Sequence, residues 1–303
     1  MINFVPGIVP GIGMAMNCFT QKGDKVMIQP PVYHPFAWVT TRNERTLVTN
    51  PLKWENGMYR MDLDAFRELI KGCKLFILCN PHNPGGVVWT EAELRAIADI
   101  CYDEKVLVFS DEIHADLTLP PHTHRPFATV SEKARMNSVT FMSPSKAFNM
   151  PGLSASHALI FNEDLRKRFR IYMDAGELDM GHVFAFLSVE AAYSHGTEWL
   201  DQCLAYIQGN IDFVDDFLKN HAPKIKAIRP EASYLVWLDC RELKLSQKDL
   251  NEFFVDKAHL ALNDGEMFGK EGIGFMRLNV ASPRCIIEKA MKQLADAYQL
   301  YIK

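Results

Sequence analysis

The chain has 303 residues, of which 48% are hydrophobic and 23% are charged. This composition is typical of a soluble globular enzyme, and the length allows a large core plus a second, smaller domain. The net charge of -4 argues against nucleic acid as a partner, because proteins that bind nucleic acid carry a basic surface.

The cysteines and the apolar start of the chain exclude further classes of protein. The 7 cysteines include no Cys-x-x-Cys pair, and several lie in apolar runs. This pattern favours buried reduced thiols in a cytoplasmic protein over disulfides or zinc ligands. Residues 1–19 are apolar, but prolines, glycines and asparagines interrupt them and no basic segment precedes them. We therefore expect neither a signal peptide nor a membrane-spanning segment.

The first half of the chain alternates between predicted helices and short apolar strands. It begins in what reads as a loop that leads into a helix, with no preceding strand, and Pro10 suits the first turn of that helix. Thr90 and Glu93 have the spacing of a capping box for a later helix. Predicted helices end near residues 20, 43, 72 and 104, and predicted strands occupy residues 25–29, 45–48, 75–79, 106–109, 139–142 and 158–161.

Three polar residues follow predicted strands directly. Apolar strands that alternate with amphipathic helices indicate a parallel sheet covered on both faces, which is a three-layer αβα large domain of the α/β class. In such sheets the functional residues gather at the carboxyl ends of the strands. Asn83, Asp111 and Lys146 each follow such a strand. We therefore expect these three side chains to meet at one edge of the sheet.

The last third of the chain predicts a second, smaller unit. Apolar residues recur at helical spacing over residues 197–220, which predicts a long helix that joins two domains. Beyond it we predict strands at residues 233–238 and 274–280 and helices at residues 247–259 and 284–301. The predicted organisation is a large domain over residues 1–200 and a small C-terminal α+β domain over residues 201–303.

The segment Ser-Pro-Ser-Lys at residues 143–146 presents Lys146 on a turn after a strand and before Pro151 and Gly152. Lysine amines can attack carbonyl compounds, which makes Schiff-base chemistry the first hypothesis for this residue. Taken alone, the segment favours a surface lysine in a polar loop. The motifs elsewhere in the chain decide between these two interpretations.

Four motifs stand together in the sequence. They are Asn-Pro-His-Asn-Pro-Gly-Gly at 80–86, Ser-Asp-Glu-Ile-His at 110–114, Ser-Pro-Ser-Lys at 143–146 and Arg-Leu-Asn-Val-Ala at 277–281. In order and spacing they resemble the fold-type I pyridoxal-phosphate enzymes of the class I/II aminotransferase superfamily. With Pro-Pro-Val-Tyr-His-Pro-Phe at 30–36, they look most like its cystathionine β-lyase or C–S lyase branch. The resemblance runs from about residue 5 to the C-terminus.

The resemblance implies pyridoxal 5'-phosphate as cofactor and a role for each motif residue. Lys146 would bind the cofactor as a Schiff base and move the Cα proton of the substrate. Asp111 would pair with the ring nitrogen, and Asn83 would hydrogen-bond the phenolic oxygen and the substrate carboxylate. Tyr33 would stack on the ring. From the sequence alone, Asp111 could instead cap a helix or form a structural salt bridge, and Tyr33 could equally be a core aromatic.

The resemblance also implies how phosphate and substrate are bound. Gly7, Ile8 and Val9 precede a helix start, where free N–H groups favour phosphate, and the hydroxyls of Ser143 and Ser145 would join them. Arg277 would clamp the substrate α-carboxylate with two parallel hydrogen bonds, although a strand-end salt bridge is the simpler alternative.

The sequence departs from the aminotransferase pattern in informative ways. His114 stands three residues after Asp111, where aminotransferases usually have tyrosine, and the resemblance implies that it contacts the phenolic oxygen of the cofactor. Ser154 stands where many members have an arginine for the phosphate. The N-terminal arm of the family and the first part of its small domain are absent from the sequence. We therefore expect either a start further upstream or a shortened homologue.

A metal site is the weaker interpretation of the histidines. His122 and His124 lie near His114 in the sequence, but Pro120 and Pro121 beside them favour an ordinary surface turn. The implied chemistry needs no metal. We therefore predict no metal ligands.

The first functional hypothesis is a C–S β-lyase that cleaves cystathionine, cysteine or related amino acids to a thiol, pyruvate and ammonia. The close alternative is an aminotransferase that moves the amino group to a 2-oxo acid. A third possibility is a truncated, inactive or regulatory homologue. The resemblance also implies a cytoplasmic homodimer, in line with the preference of soluble enzymes for two-fold symmetry.

Overall fold

The computed structural model describes residues 1–301 of the chain. A seven-stranded sheet organises the first half, in the order β1-β9-β8-β7-β6-β2-β3. Strands β2, β3, β6, β7 and β8 pair in parallel, whereas β9 is antiparallel to both of its neighbours. The strands of this sheet are β1 (Ile2–Val5), β2 (Lys25–Ile28), β3 (Thr46–Thr49), β6 (Cys73–Cys79), β7 (Leu107–Asp111), β8 (Ser138–Met142) and β9 (Ser156–Leu159).

Helices cover both faces of this sheet. Successive residues of β6 contribute to two different cores: Phe76 and Leu78 pack on one face, and Leu75 and Ile77 on the other. This arrangement confirms the predicted three-layer α/β architecture. The helices of this half are α1 (Ile8–Phe19), α2 (Pro35–Arg42), α3 (Leu63–Leu69), α4 (Glu91–Asp103), α5 (Glu132–Met136), α6 (Glu163–Asp174) and α7 (Val183–His195).

Side chains in the sequence fix where several of these helices begin. Thr90 accepts a hydrogen bond from the N–H of Glu93, whose carboxylate in turn accepts from the N–H of Thr90, so the predicted capping box is confirmed. Asp62 caps α3 through the N–H of Ala65. Helix α1 can lie close to the sheet because residue 11 is glycine: a Cβ there would come within 2.9 Å of Cγ2 of Val5.

The C-terminal part forms a four-stranded antiparallel sheet in the order β10-β11-β13-β12. One face of this sheet packs against the long helix α8 and the last helix α10. Trp237 and Phe275 belong to the same core as Tyr59, which lies in the first half of the chain. The indole N–H of Trp237 donates to the Tyr59 hydroxyl at 3.2 Å. The elements are α8 (Thr197–His221), β10 (Lys226–Ile228), β11 (Leu235–Asp239), α9 (Gln247–Glu252), β12 (Asn263–Asp264), β13 (Phe275–Asn279) and α10 (Arg284–Tyr301).

The structure corrects four expectations about the elements. The chain does not begin in a loop, because β1 precedes the first helix and pairs with β9. The strand predicted at residues 158–161 is not part of the parallel series. The helix predicted at residues 247–259 ends as an α-helix at Glu252 and continues as a wider π-helical turn over Phe253–Lys257. A hairpin of β4 (Lys53–Glu55) and β5 (Met58–Arg60) was not predicted.

Three further predictions concern the chain as a whole. The division into domains at residue 200 stays a prediction. Of the cysteines, Cys73, Cys79, Cys101 and Cys240 are buried, whereas Cys285 is exposed. Within residues 1–301, no helix combines the length and the apolar character that a membrane crossing requires.

Candidate active site

A cavity of about 430 Å³ lies where the carboxyl ends of β6, β7 and β8 meet the start of α1. Its opposite wall comes from β11 and β13 of the C-terminal sheet. Residues from seven separate segments of the sequence therefore face one space. The predicted site residues that line it are Gly7, Ile8, Val9, Tyr33, Asn83, Asp111, His114, Ser145, Lys146 and Arg277.

Lys146 lies on a turn that the preceding serines fasten. The Ser143 hydroxyl donates to the carbonyl oxygen of Ala155 at 2.7 Å and accepts from the Ser145 N–H at 3.1 Å. Ser143 does not line the cavity, so its predicted contact with phosphate has no support in this geometry. Its hydroxyl holds the turn instead, while Ser145 and the half-buried Lys146 line the cavity.

Asp111 is the last residue of β7 and is only 4% exposed. Its Oδ1 accepts a hydrogen bond from the N–H of Ile113 at 3.1 Å. Burial raises the pKa of this carboxyl to about 7. The charge of Glu112 also raises the pKa, whereas the hydrogen bond from Ile113 and the charge of Lys146 lower it. A carboxyl this strongly desolvated gains from a cationic partner in the cavity.

Glu112, the next residue, is buried and anchors the loop behind Asp111. Its carboxylate accepts from the Ser110 hydroxyl at 2.8 Å and from the Phe127 N–H at 2.9 Å, and lies 2.8 Å from Nε2 of His124. Residues 120–123 are exposed, in line with the predicted surface turn, whereas the His124 side chain is only 9% exposed. Within residues 1–301, no three His, Cys, Asp or Glu side chains group closely enough to hold a metal ion.

His114 is 4% exposed and faces the cavity beside Tyr234, with ring centroids 6.3 Å apart. Burial lowers the pKa of the imidazole to about 3, and the positive charges of Lys146 and Arg277 act in the same direction. His114 is therefore neutral at physiological pH. Among the described residues, its buried Nδ1 has no hydrogen-bond partner, so it is available to a ligand.

Arg277 and Asn83 are joined across the cavity although they lie far apart in the sequence. Nη1 of Arg277 donates to Oδ1 of Asn83 at 2.9 Å, and Nη2 donates to Oδ1 of Asn263 at 2.7 Å. The guanidinium also lies 4.7 Å from the centroid of the Phe268 ring. Burial lowers the pKa of Arg277 to about 10, which leaves it charged at neutral pH. Such a guanidinium is suited to a carboxylate ligand.

Tyr33 and the start of α1 complete the cavity. The Tyr33 ring packs edge-on against Phe36 with centroids 5.7 Å apart, and burial, with the charge of Asp111, raises the pKa of its hydroxyl. Gly7 has a φ of 119°, in the range that favours glycine, and no side chain caps α1. The N–H groups of Ile8 and Val9 at this helix start have no partner within the helix and suit an anion.

Several cavity residues were not predicted from the sequence. His34, Cys79, Tyr234 and Asn279 also line the cavity. The strand-end rule could have found Cys79, because it ends β6 and lies opposite Asp111 in the parallel pair. Tyr234 and Asn279 flank or belong to C-terminal strands, and no spacing in the sequence indicates that these strands face the large sheet.

Comparisons with known proteins agree on one family. The model of the family "Aminotransferase class I and II" matches residues 2–294. The chain is 39% identical to the cystathionine β-lyase PatB of Bacillus subtilis, over 98% of this chain and 77% of that protein.

Two solved structures superpose closely on the chain. Cystalysin from Treponema denticola, which contains pyridoxal 5'-phosphate, has a TM-score of 0.96 at 36% identity and covers 100% of this chain and 77% of its own. The pyridoxal-phosphate-bound C–S lyase of Staphylococcus hominis has a TM-score of 0.90 at 32% identity and covers 98% of this chain and 76% of its own.

Proposed function

Because the chain belongs to the aminotransferase class I and II family, we propose that it is a pyridoxal-phosphate-dependent C–S β-lyase. The observation that carries this proposal is the convergence of Lys146, Asp111 and Arg277 in one cavity from three distant parts of the chain. An amine, a buried acid and a carboxylate clamp are the three groups that amino-acid chemistry on this cofactor requires.

The cavity residues fit pyridoxal phosphate. Asp111, whose pKa is raised by burial, gains from pairing with the protonated ring nitrogen. The unpartnered Nδ1 of His114 is free to contact the phenolic oxygen. The start of α1, with Gly7, Ile8 and Val9, suits the phosphate group, and Ser145 adds a hydroxyl. Tyr33 supplies an aromatic face for the ring. When bound, the cofactor accepts the electron pair that deprotonation of the substrate releases.

The substrate is held and deprotonated by residues of this chain. Arg277 binds the α-carboxylate and Asn83 orients the guanidinium from the cavity side. Lys146 would hold the cofactor, and its amine would take the proton from the substrate Cα. The overall reaction converts an S-substituted cysteine and one water to a thiol, pyruvate and ammonium. The carbon–sulfur bond breaks, and the leaving sulfur takes a proton.

His114 supports the lyase over the aminotransferase alternative, because histidine at this position is the form of the lyase branch that the sequence resembles, whereas the aminotransferase pattern has tyrosine. The relatives named as a cystathionine β-lyase and a C–S lyase support the same choice. Both reactions share Lys146, Asp111 and Arg277, so the choice between them depends on this position. We further propose that the enzyme works in the cytoplasm as a homodimer.

The proposal is tested by incubating the cofactor-loaded protein with L-cystathionine and measuring pyruvate. We expect pyruvate without any added 2-oxo acid, and product that forms only with 2-oxoglutarate would identify an aminotransferase. Lys146→Ala should reduce the rate by about 10⁴-fold, since it removes the acid–base group. The matched control is Lys224→Ala, which changes an exposed lysine outside the cavity. Absence of product together with absence of cofactor binding would favour a regulatory homologue.

A further inference from the structure

A second cavity of about 310 Å³ adjoins the candidate active site. The two cavities share a border of five residues, so Lys146 faces both spaces. The shared residues are Ser145, Lys146, Pro151, Tyr234 and Asn279. A ligand whose reacting carbon lies at Lys146 therefore has room to extend into this second cavity.

The walls of the second cavity are mainly aromatic and aliphatic, with neutral polar side chains from Ser145, Asn149, Asn279 and Ser282. Trp199 and Tyr206 of α8 line it together with Tyr234, and Leu117, Ile207 and Pro283 add aliphatic surface. Among the described residues that line it, Lys146 is the one charged side chain. The other polar side chains in these walls are neutral, so they can hydrogen-bond a charged group on a ligand but cannot neutralise it.

Neighbouring contacts hold these walls in place. The Trp199 ring stacks on Phe148 with centroids 5.9 Å apart and an interplanar angle of 26°. The Tyr206 hydroxyl accepts a hydrogen bond from the N–H of Arg284 at 2.7 Å, and Ile207 is 2% exposed. A pocket formed in advance binds an apolar group without first having to order its own side chains.

We propose that the second cavity binds the sulfur substituent of the substrate, and that the enzyme prefers S-alkyl and S-aryl derivatives of L-cysteine. The proposal rests on the proposed lyase function. Arg277 fixes the carboxylate end in the first cavity, and Lys146 marks the border where the carbon–sulfur bond breaks. The group beyond the sulfur then faces Trp199, Tyr206 and Ile207.

The same walls disfavour cystathionine. The distal end of that amino acid carries an ammonium and a carboxylate, and burying both is costly because the walls offer the ammonium no anionic partner. An apolar substituent instead gains from leaving water and from contact with the aromatic rings. We therefore expect kcat/KM for S-benzyl-L-cysteine to exceed that for L-cystathionine by about tenfold or more, which corresponds to about 1.4 kcal/mol.

The test compares pyruvate release from these two substrates in the cofactor-loaded wild type and in Trp199→Ala. The variant should lose about tenfold in kcat/KM for S-benzyl-L-cysteine and less than about twofold for L-cystathionine, because Trp199 contacts only the apolar substituent. The matched control is Tyr102→Ala, another exposed aromatic (47%, against 49% for Trp199) that does not line either cavity. Equal or better use of L-cystathionine by the wild type would overturn the proposal and leave the lyase function intact.

A binding measurement separates this proposal from the reaction itself. In a Lys146→Ala background, where turnover is blocked, calorimetry gives the dissociation constants of both amino acids. Weaker binding of S-benzyl-L-cysteine after Trp199→Ala would support the second cavity as a ligand site. If the enzyme with Lys146 intact also released no pyruvate from any substrate, the lyase function would be refuted while the second cavity remained supported. Unchanged binding after Trp199→Ala would refute the cavity as a ligand site.

Discussion

The wall formed by the parallel sheet and the wall formed by β13 hold their charged residues in different ways. Asp111 is part of β7, so the ladder with β6 and β8 fixes its backbone, and an N–H two residues later fixes its carboxylate. Arg277 lies on β13, and its long side chain is held at its tip by the side chains of Asn83 and Asn263. Burial sets the protonation of Asp111 on the first wall, whereas two replaceable side chains set the orientation of Arg277 on the second.

This difference predicts opposite effects of mutation on stability and function. A buried acid that is placed to bind a ligand destabilises the fold while the ligand is absent, as expected for strain at a functional site. A hydrogen-bonded guanidinium instead contributes to both the fold and the site. The following variants test the two walls separately.

Among the variants that separate the two walls, Asp111→Asn should have the largest effect. The amide keeps the shape of the side chain and the hydrogen bond from Ile113, but it removes the charge that faces the ring nitrogen of the cofactor. Loss of one such preorganised group costs about 10²–10³-fold in kcat. Pyruvate release by the cofactor-loaded variant measures this loss, and a decrease below tenfold would contradict the assigned role of Asp111.

The same variant should stabilise the cofactor-free protein. The pKa of Asp111 is about 7 in the fold against an ordinary 3.8, so between these values the folded chain keeps a proton that the unfolded chain loses. The wild type therefore loses stability as pH rises through this window, whereas the variant does not. The free energy of unfolding of Asp111→Asn minus that of the wild type should therefore grow by about 3 kcal/mol from pH 5 to pH 8. Urea unfolding at both pH values measures it, and a constant difference would refute the burial argument.

A smaller effect is expected from Asn263→Ala on the other wall. Asn263 lies directly opposite Arg277 in the β12–β13 pair and accepts a hydrogen bond from Nη2. Without it the guanidinium is less well oriented, which should raise KM about fivefold and leave the affinity for the cofactor unchanged. Asn220→Ala, at an exposed position on α8, is the matched control. A fall in cofactor affinity with unchanged KM would show that Asn263 does not act through Arg277.

The sequence was sufficient for the wall built on the sheet because that wall follows a local rule. Asn83, Asp111 and Lys146 follow apolar strands, and parallel strands bring their carboxyl ends together. The orientation of β9 was also readable in principle. Residues 143–155 between β8 and β9 contain only a short 3₁₀ turn, Pro151–Leu153, whereas a parallel connection usually contains an α-helix. Strand β1 has four residues, too few for a pattern to stand out.

Contacts between distant segments could not be predicted in this way. The pairing of Glu112 with His124 depends on how the loop folds back behind β7, and no periodicity reports it. The same holds for the contact of Arg277 with Asn263. Predicting the second cavity requires knowing where α8 lies relative to Lys146, and the helical spacing of apolar residues in α8 does not give that position. Periodicity predicts which face of an element is buried but not which neighbour buries it.

The smallest effects separate two serines of the sheet wall that the sequence treated alike. Ser145 lines the cavity, so Ser145→Ala should weaken cofactor binding about threefold and leave stability nearly unchanged. Ser143 is buried and donates to the carbonyl oxygen of Ala155, so Ser143→Ala should lower the free energy of unfolding by about 1 kcal/mol and leave cofactor affinity unchanged. Cofactor titration and urea unfolding of both variants measure the two effects. If Ser143→Ala lowered the cofactor affinity and left stability unchanged, the predicted contact of this serine with the phosphate would be supported. A hydroxyl that only holds the turn cannot lower cofactor affinity without also lowering stability.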